Sequence, residues 1–97
     1  MNYSQAISST PVVLVEFYAT WCPHCQRMMP VIEQIKELLA GSVNIYQLDI
    51  DKNQELADTE KVNSTPTFII YRDGKSVWRE SGEMDGQVLL DKIQSYM

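Results

Sequence analysis

The chain of 97 residues has few of the residues that cross-link or interrupt a small fold. It contains two cysteines, one histidine, four prolines and four glycines. A disulfide-rich mini-protein is excluded, because its framework needs several cysteine pairs. A disordered chain is excluded by the hydrophobic content of 44%, since disordered chains lack the apolar residues that offset the entropy of ordering. This length supports one hydrophobic core, and we therefore predict a single domain over residues 1–97.

Basic residues are also scarce, because 8 Lys and Arg stand against 13 Asp and Glu, which gives a net charge of −5. Nucleic acids and anionic membrane surfaces bind basic faces, so we expect neither as a partner. The N-terminus shows no basic region or long apolar run typical of a targeting signal, and the apolar run at residues 12–15 is too short to cross a bilayer. We predict a cytoplasmic protein, with a periplasmic or exported location as the alternative if a signal has been removed.

Hydrophobic patterning predicts strands that alternate with helices. The near-continuous apolar run at residues 12–18 indicates a buried central strand, and the Asp73-Gly74 pair indicates a hairpin turn. Asn53 and Asp85 are predicted helix N-caps. The predicted strands are residues 12–18, 43–48, 67–71 and 75–80, and the predicted helices are a short N-terminal one, Pro23–Ala40, Gln54–Lys61 and one that follows Asp85. This order predicts an α/β fold with a mixed central sheet and helices on both faces.

The strongest motif is Trp21-Cys22-Pro23-His24-Cys25, where the first strand gives way to a helix. Two thiols at this spacing can face each other and close a small ring. Free N–H groups and the positive end of the helix dipole favour the thiolate of Cys22, which we expect to be the exposed thiol, while Cys25 lies one turn further and is more shielded. This asymmetry suits thiol–disulfide exchange, in which one sulfur attacks and the second resolves the mixed disulfide.

Several segments together resemble the thioredoxin family: residues 17–25 with the paired cysteines, Pro30, Ser64–Thr67 and Asp73–Lys75. The resemblance runs from about Pro11 to Tyr96. It implies a thioredoxin fold, here without the N-terminal edge strand, and a cis peptide bond before Pro66. It also implies a protein thiol–disulfide oxidoreductase, most simply a reductase, that acts on disulfide-containing proteins and is recharged by a reductase or other redox partner. No metal or organic cofactor is implied, and we expect a monomer.

The chain departs from the family pattern at the site itself. Pro23 and His24 replace the usual Gly-Pro between the cysteines and resemble the bacterial periplasmic thiol oxidases. An imidazole beside the Cys22 thiolate is expected to stabilise the reduced form and make the disulfide more oxidising. Glu16 stands where thioredoxins have a buried Asp. The rim that is apolar in the family is the more polar Ser81-Gly82-Glu83.

The cysteine motif and the family resemblance together suggest a role for each candidate residue. We predict Cys22, Cys25, Glu16 and His24 as catalytic residues, with Glu16 as the buried carboxyl of raised pKa that takes the proton of Cys25. The predicted substrate-binding residues are Trp21, Pro23, Thr65, Pro66 and Gly82, with the Thr65 backbone edge aligned beside the cysteines. The pair Glu33–Lys36 is interpreted as a solvated surface pair without functional weight.

Three other interpretations stay open at this point. The Pro-His pair allows an exported thiol oxidase or disulfide isomerase. The same fold could serve as a non-catalytic binding module that keeps its cysteines as scaffold. A structural zinc site or a metal-handling dithiol is the third, although a tetrahedral zinc site wants four ligands and the chain offers two cysteines, one histidine and carboxylates.

Overall fold

The computed structural model describes residues 1–97 as four helices and four strands. The helices are α1 (Tyr3–Ala6), α2 (Pro23–Leu39), α3 (Gln54–Thr59) and α4 (Gly86–Ser95). The strands are β1 (Val12–Tyr18), β2 (Asn44–Asp49), β3 (Thr67–Arg72) and β4 (Lys75–Ser81). Every predicted element is present; β1 has the predicted bounds, and the other predicted bounds differ from the observed ones by at most two residues. No helix combines the length and the hydropathy needed to cross a membrane.

The strands form one mixed sheet, as predicted, and their order in it is β2-β1-β3-β4. Strand β1 pairs in parallel with β2, because the α2 crossover returns the chain in the same direction, and it pairs antiparallel with β3. A tight turn joins β3 to β4, and its residues Asp73 and Gly74 have φ values of 53° and 80°, the positive values that such hairpins require. β2 is an edge strand of this sheet, so β1 and the start of α2 lie near its centre.

The side chains of β1 alternate between the two faces of the sheet. Val12 and Leu14 pack with buried residues of α2 and α4, whereas Val13, Val15 and Phe17 pack with the opposite cluster, which includes Ala57 of α3. The alternation places Glu16 on the face that α2 covers. A carboxyl group therefore lies under the helix that carries the cysteines.

The two predicted N-caps have different outcomes. The Asp85 side chain accepts from the backbone N–H groups of Gln87 and Val88, as expected of a cap at the start of α4. Asn53 occupies the N-cap position of α3, as predicted, but its side chain makes no capping hydrogen bond. Its amide nitrogen instead donates to the Asp49 carbonyl at 2.9 Å, which ties the start of α3 to the end of β2.

Candidate active site

Cys22 is the N-cap residue of α2, and polar groups of α2 and of the segment before β3 contact its sulfur. The Sγ atom accepts from the Cys25 backbone N–H at 3.4 Å, as an N-cap side chain does, and lies 3.5 Å from the Thr65 carbonyl oxygen, to which the thiol can donate. Cys22 is 4% exposed and Cys25 1% exposed. The prediction of an exposed Cys22 is therefore wrong, because the segment before β3 packs over it, although the residue still lines a surface groove.

The hydrogen bonds around the Cys22 sulfur favour its thiolate form. Burial raises the pKa of this thiol, but hydrogen bonds from the Thr65 side chain, the Cys25 thiol and backbone N–H groups outweigh burial and lower it from 9.0 to about 7. One of those N–H groups belongs to His24. Near neutral pH a substantial fraction of Cys22 is consequently nucleophilic.

Cys25 is tuned in the opposite direction. Burial is the main cause that raises the pKa of its thiol, and the hydrogen bond and negative charge of Cys22 add to it, so that the value reaches about 11. The Cys25 thiol is thus protonated when the Cys22 thiolate attacks. It needs a proton acceptor before it can attack in turn.

We expect alkylation to distinguish the two thiols. The rate of modification of reduced protein by iodoacetamide should rise with pH through about 7 and place one label, on Cys22, because the thiolate is the reacting form. Mass spectrometry of the labelled peptide checks this. Cys22→Ser is the matched control and should show no labelling step near pH 7. A step that survives in that variant would assign the low pKa to Cys25.

The groove beside Cys22 collects five of the predicted site residues, and its lining comprises Trp21, Cys22, Pro23, His24, Ile50, Val62, Asn63, Ser64 and Thr65. The Thr65-Pro66 peptide bond is cis, as the family resemblance implied. Gly82, with φ of 102°, donates its N–H to the Pro66 carbonyl at 2.8 Å, so the end of β4 adjoins the groove through Pro66.

Trp21 places an apolar ring at the groove. The residue is 65% exposed, and its indole N–H donates to Asp51 at 2.9 Å, which holds the ring in place.

The His24 ring is held by charged residues that sequence patterning did not single out. Its Nδ1 lies 3.0 Å from a Glu83 carboxylate oxygen and 2.9 Å from an Arg27 guanidinium nitrogen, while Arg27 itself donates to Glu83. The ring is largely exposed. Arg27 follows His24 by three residues on the helix and was recognisable by that spacing. Glu83 is 59 positions away, and only the fold brings it there.

Glu16 is fully buried on the α2 side of the sheet. Its Oε1 accepts from the Gln47 side-chain amide at 3.0 Å, while Oε2 has no hydrogen-bond partner. Burial raises the pKa of this carboxyl, and Gln47 and the charge of Lys36 partly oppose that effect. No hydrogen bond joins Glu16 to either cysteine, so its predicted role as the acceptor of the Cys25 proton stays a prediction.

Metal chemistry finds no support in the arrangement of possible ligands. No group of three or more His, Cys, Asp and Glu side chains comes together in a way that could hold a metal ion. His24, the one histidine of the sequence, is engaged with Glu83 and Arg27.

Comparisons with known proteins agree with this geometry. A family model described as Thioredoxin matches residues 1–97. Thioredoxin Y of rice chloroplasts is 36% identical over 83 residues, which cover 86% of this chain and 49% of that protein. A thioredoxin-like protein of Synechocystis is 32% identical over 97 residues, which cover 99% of this chain and 92% of that protein. The structure of a mutant thioredoxin from Halobacterium salinarum superposes with a TM-score of 0.87 at 36% identity and covers 96% of this chain and 80% of that one.

These relatives differ in length. The chain spans about half the length of the plant chloroplast relatives, whose matched shares are 49% in rice and 51% in Arabidopsis. The family model and the bacterial relatives cover nearly the whole chain, and the matched region contains both cysteines. The chain belongs to the thioredoxin family.

Proposed function

We propose that this chain is a thiol–disulfide oxidoreductase that reduces disulfide bonds of other proteins. The observation that carries the proposal is the difference between the two thiols, whose pKa values are about 7 for Cys22, at the N-cap of α2, and about 11 for Cys25, in its first turn. Two cysteines with a purely structural role need no thiolate, whereas here hydrogen bonds stabilise the Cys22 thiolate even though burial disfavours it. Thioredoxins, the family to which the chain belongs, act by dithiol–disulfide exchange.

The reaction proceeds in two displacements. The Cys22 thiolate attacks one sulfur of the substrate disulfide, a mixed disulfide forms, and the other substrate sulfur leaves as a thiolate that takes up a proton. Glu16 then accepts the Cys25 proton, the Cys25 thiolate attacks the Cys22 sulfur, and the second substrate sulfur leaves as a thiolate that also takes up a proton. Two electrons pass to the substrate, which ends with two thiols, while the enzyme ends with the Cys22–Cys25 disulfide.

Substrate recognition is proposed to use backbone groups rather than a side-chain pocket. An extended segment of the partner would lie in the groove between Trp21 and Thr65, with Pro23, Pro66 and Gly82 shaping its floor and edge. Main-chain pairing of this kind tolerates many sequences, which suits broad specificity. A second protein, a dithiol donor, is proposed to reduce the enzyme after each turnover. The cytoplasmic location and the monomeric state stay predictions.

The first test is catalysis of insulin reduction by dithiothreitol. Wild-type protein should accelerate the precipitation of the insulin B chain at pH 7, because Cys22 is then partly ionised. Protein alkylated at Cys22 beforehand is the control and should have no effect. A wild-type protein that leaves the rate unchanged would support the non-catalytic binding module.

The second test is the equilibrium potential of the cysteine pair against glutathione. A reductase should have a potential more negative than the glutathione pool, whereas a value at or above that pool would assign the thiol oxidase or isomerase alternative. The Pro-His pair favours the more oxidising end of the range. A lowered Cys22 pKa has the same effect, because it stabilises the reduced state.

We expect His24→Pro to make the pair more reducing by about 30 mV or more, since the loss of one interaction of about 1.4 kcal/mol that stabilises the Cys22 thiolate has that effect. Proline also removes the backbone N–H that His24 donates to the Cys22 sulfur. His24→Gln keeps that N–H and removes only the imidazole, so the difference between the two variants separates ring from backbone. Two variants with the wild-type potential would exclude His24 as a determinant of the potential.

A further inference from the structure

Lys36 reaches inward from a helix face that the sequence pattern assigns to solvent. Its ammonium lies 2.7 Å from the side-chain oxygen of Gln47. The distance to Glu33, the partner that helical spacing predicts, is longer, at 3.5 Å. The shorter contact crosses from α2 to β2. The Glu33–Lys36 pair thus carries little weight, as expected of an exposed pair, but Lys36 has a second and closer partner.

Gln47 links that ammonium to the buried carboxyl. Gln47 is the β2 residue in register with Glu16 on β1, and its amide nitrogen donates to Glu16 Oε1 at 3.0 Å. The same nitrogen lies 3.6 Å from the Met29 sulfur. Lys36, Gln47 and Glu16 therefore form a continuous line of hydrogen bonds from the surface of α2 to the interior of the sheet.

The chemistry of the amide fixes its orientation in this line. An ammonium group can only donate and a carboxylate can only accept, so the Gln47 oxygen must face Lys36 and its NH₂ group must face Glu16. Each bond polarises the amide in the direction that strengthens the other. Turning the amide over would set donor against donor and acceptor against acceptor, so the two charged ends hold Gln47 in place.

No other charged side chain competes for the carboxyl. From β3 the residue paired with Glu16 is Phe68, and the buried residues that α2 and α4 contribute carry no charge: they are apolar apart from the Cys25 thiol. Glu33 acts only on the outer side of Lys36. The single positive charge that reaches Glu16 by hydrogen bonds is thus delivered through Gln47.

We propose that Lys36, acting through Gln47, is a positioning residue that stabilises the negative charge of the buried Glu16 carboxylate, so that Glu16 is available to take the Cys25 proton. The proposal rests on the proposed function for its last step. Its first step, electrostatic control of Glu16 by a side chain of the helix surface, is independent of catalysis.

The experiment measures the ionisation of Glu16 directly, from the ¹³C chemical shift of its carboxyl as a function of pH in reduced protein. Lys36→Met should lower the acid dissociation constant of Glu16 by roughly three- to tenfold, since a removed opposite charge disfavours the ionised form. Lys36→Arg should restore most of the wild-type value. Lys92→Met, which makes the same change in net charge on α4, is the matched control and should have no effect. Equal effects of Lys36→Met and Lys92→Met would overturn the proposal.

A double-variant cycle tests the route. In a Gln47→Leu background, whose folding is checked by circular dichroism, Lys36→Met should change the Glu16 constant less than about a third as much as in the wild type. An undiminished effect would overturn the bridging role of Gln47. The rate of Cys25 attack on a preformed mixed disulfide separates the two proposals. If Lys36→Met shifts the Glu16 titration and leaves that rate unchanged, the link to Glu16 stands and the proton-accepting role of Glu16 is wrong.

Discussion

Cys22→Ser should lose all catalysis of insulin reduction, whereas Cys25→Ser should react once and stop as a mixed disulfide with its substrate. The two variants change the same atom at positions three residues apart, so each is the matched control of the other. The different outcomes follow from the environments of the two sulfurs. The Cys22 thiol has a pKa of about 7 and lines the groove, while the Cys25 thiol has a pKa of about 11 and is 1% exposed.

A serine hydroxyl at position 22 remains protonated at neutral pH and cannot attack a disulfide. A serine at position 25 leaves the nucleophile intact and removes only the resolving step. Non-reducing electrophoresis of each variant after exposure to a disulfide-containing protein measures the trapped adduct, and an insulin assay measures turnover. A stable adduct with Cys22→Ser, or full turnover by either variant, would contradict the assignment of attacking and resolving thiols.

The fold was predictable because its signals are local. The apolar run of β1, the helical spacing of buried residues in α2 and the Asp73-Gly74 turn each depend on neighbours within a few positions. The cap at Asp85 is equally local, since its carboxylate needs only the next turn of α4. Asn53 lies at the N-cap of α3 but its side chain does not cap the helix, because its amide nitrogen is turned to donate to the Asp49 carbonyl, a contact that the sequence pattern did not reveal.

The electrostatics of the site was predictable within the motif and not where it depends on distant segments. The position of the cysteines at the helix start indicated which thiol has the lower pKa. The burial of Cys22 depends on Thr65, which is 43 residues away, and the partner of His24 is Glu83, which is 59 residues away. The contact between Lys36 and Gln47 likewise joins two elements through the parallel register of β1 and β2. Such pairings are properties of the assembled sheet, so residue types and spacing alone do not reveal them.

Glu16→Leu should make the protein more stable and the enzyme slower. The Glu16 carboxyl is fully buried, and one of its oxygens lacks a hydrogen bond, which costs roughly 1–3 kcal/mol in the folded state. A leucine of similar size removes that cost. Asp49→Leu is the contrasting control, because the Asp49 carboxylate accepts from the Asp51 N–H at 2.9 Å and its loss should reduce the free energy of unfolding.

The pH dependence of stability tests whether the buried charge of Glu16 causes the expected stabilisation by Glu16→Leu. Glu16 ionises near 4.5 in the unfolded chain, and burial raises its pKa in the folded protein. Between these two values the folded protein holds the extra proton, so the wild-type free energy of unfolding should fall as the pH rises through that interval, and the loss is complete above the folded pKa. The advantage of Glu16→Leu should therefore be small below pH 4.5 and grow above it. Urea unfolding at a series of pH values from acidic to mildly alkaline measures this difference.

The same substitution should slow resolution of a mixed disulfide, by about a hundredfold if Glu16 supplies typical general-base catalysis to Cys25. The rate of Cys22 alkylation is the internal control and should be unchanged, because the hydrogen bonds to that sulfur come from Thr65, Cys25 and His24. A variant that is more stable and resolves as fast as the wild type would contradict the role of Glu16. A variant that is more stable but slow would show that a destabilising buried carboxyl is retained because the Cys25 thiol, with a pKa of about 11, needs a nearby base.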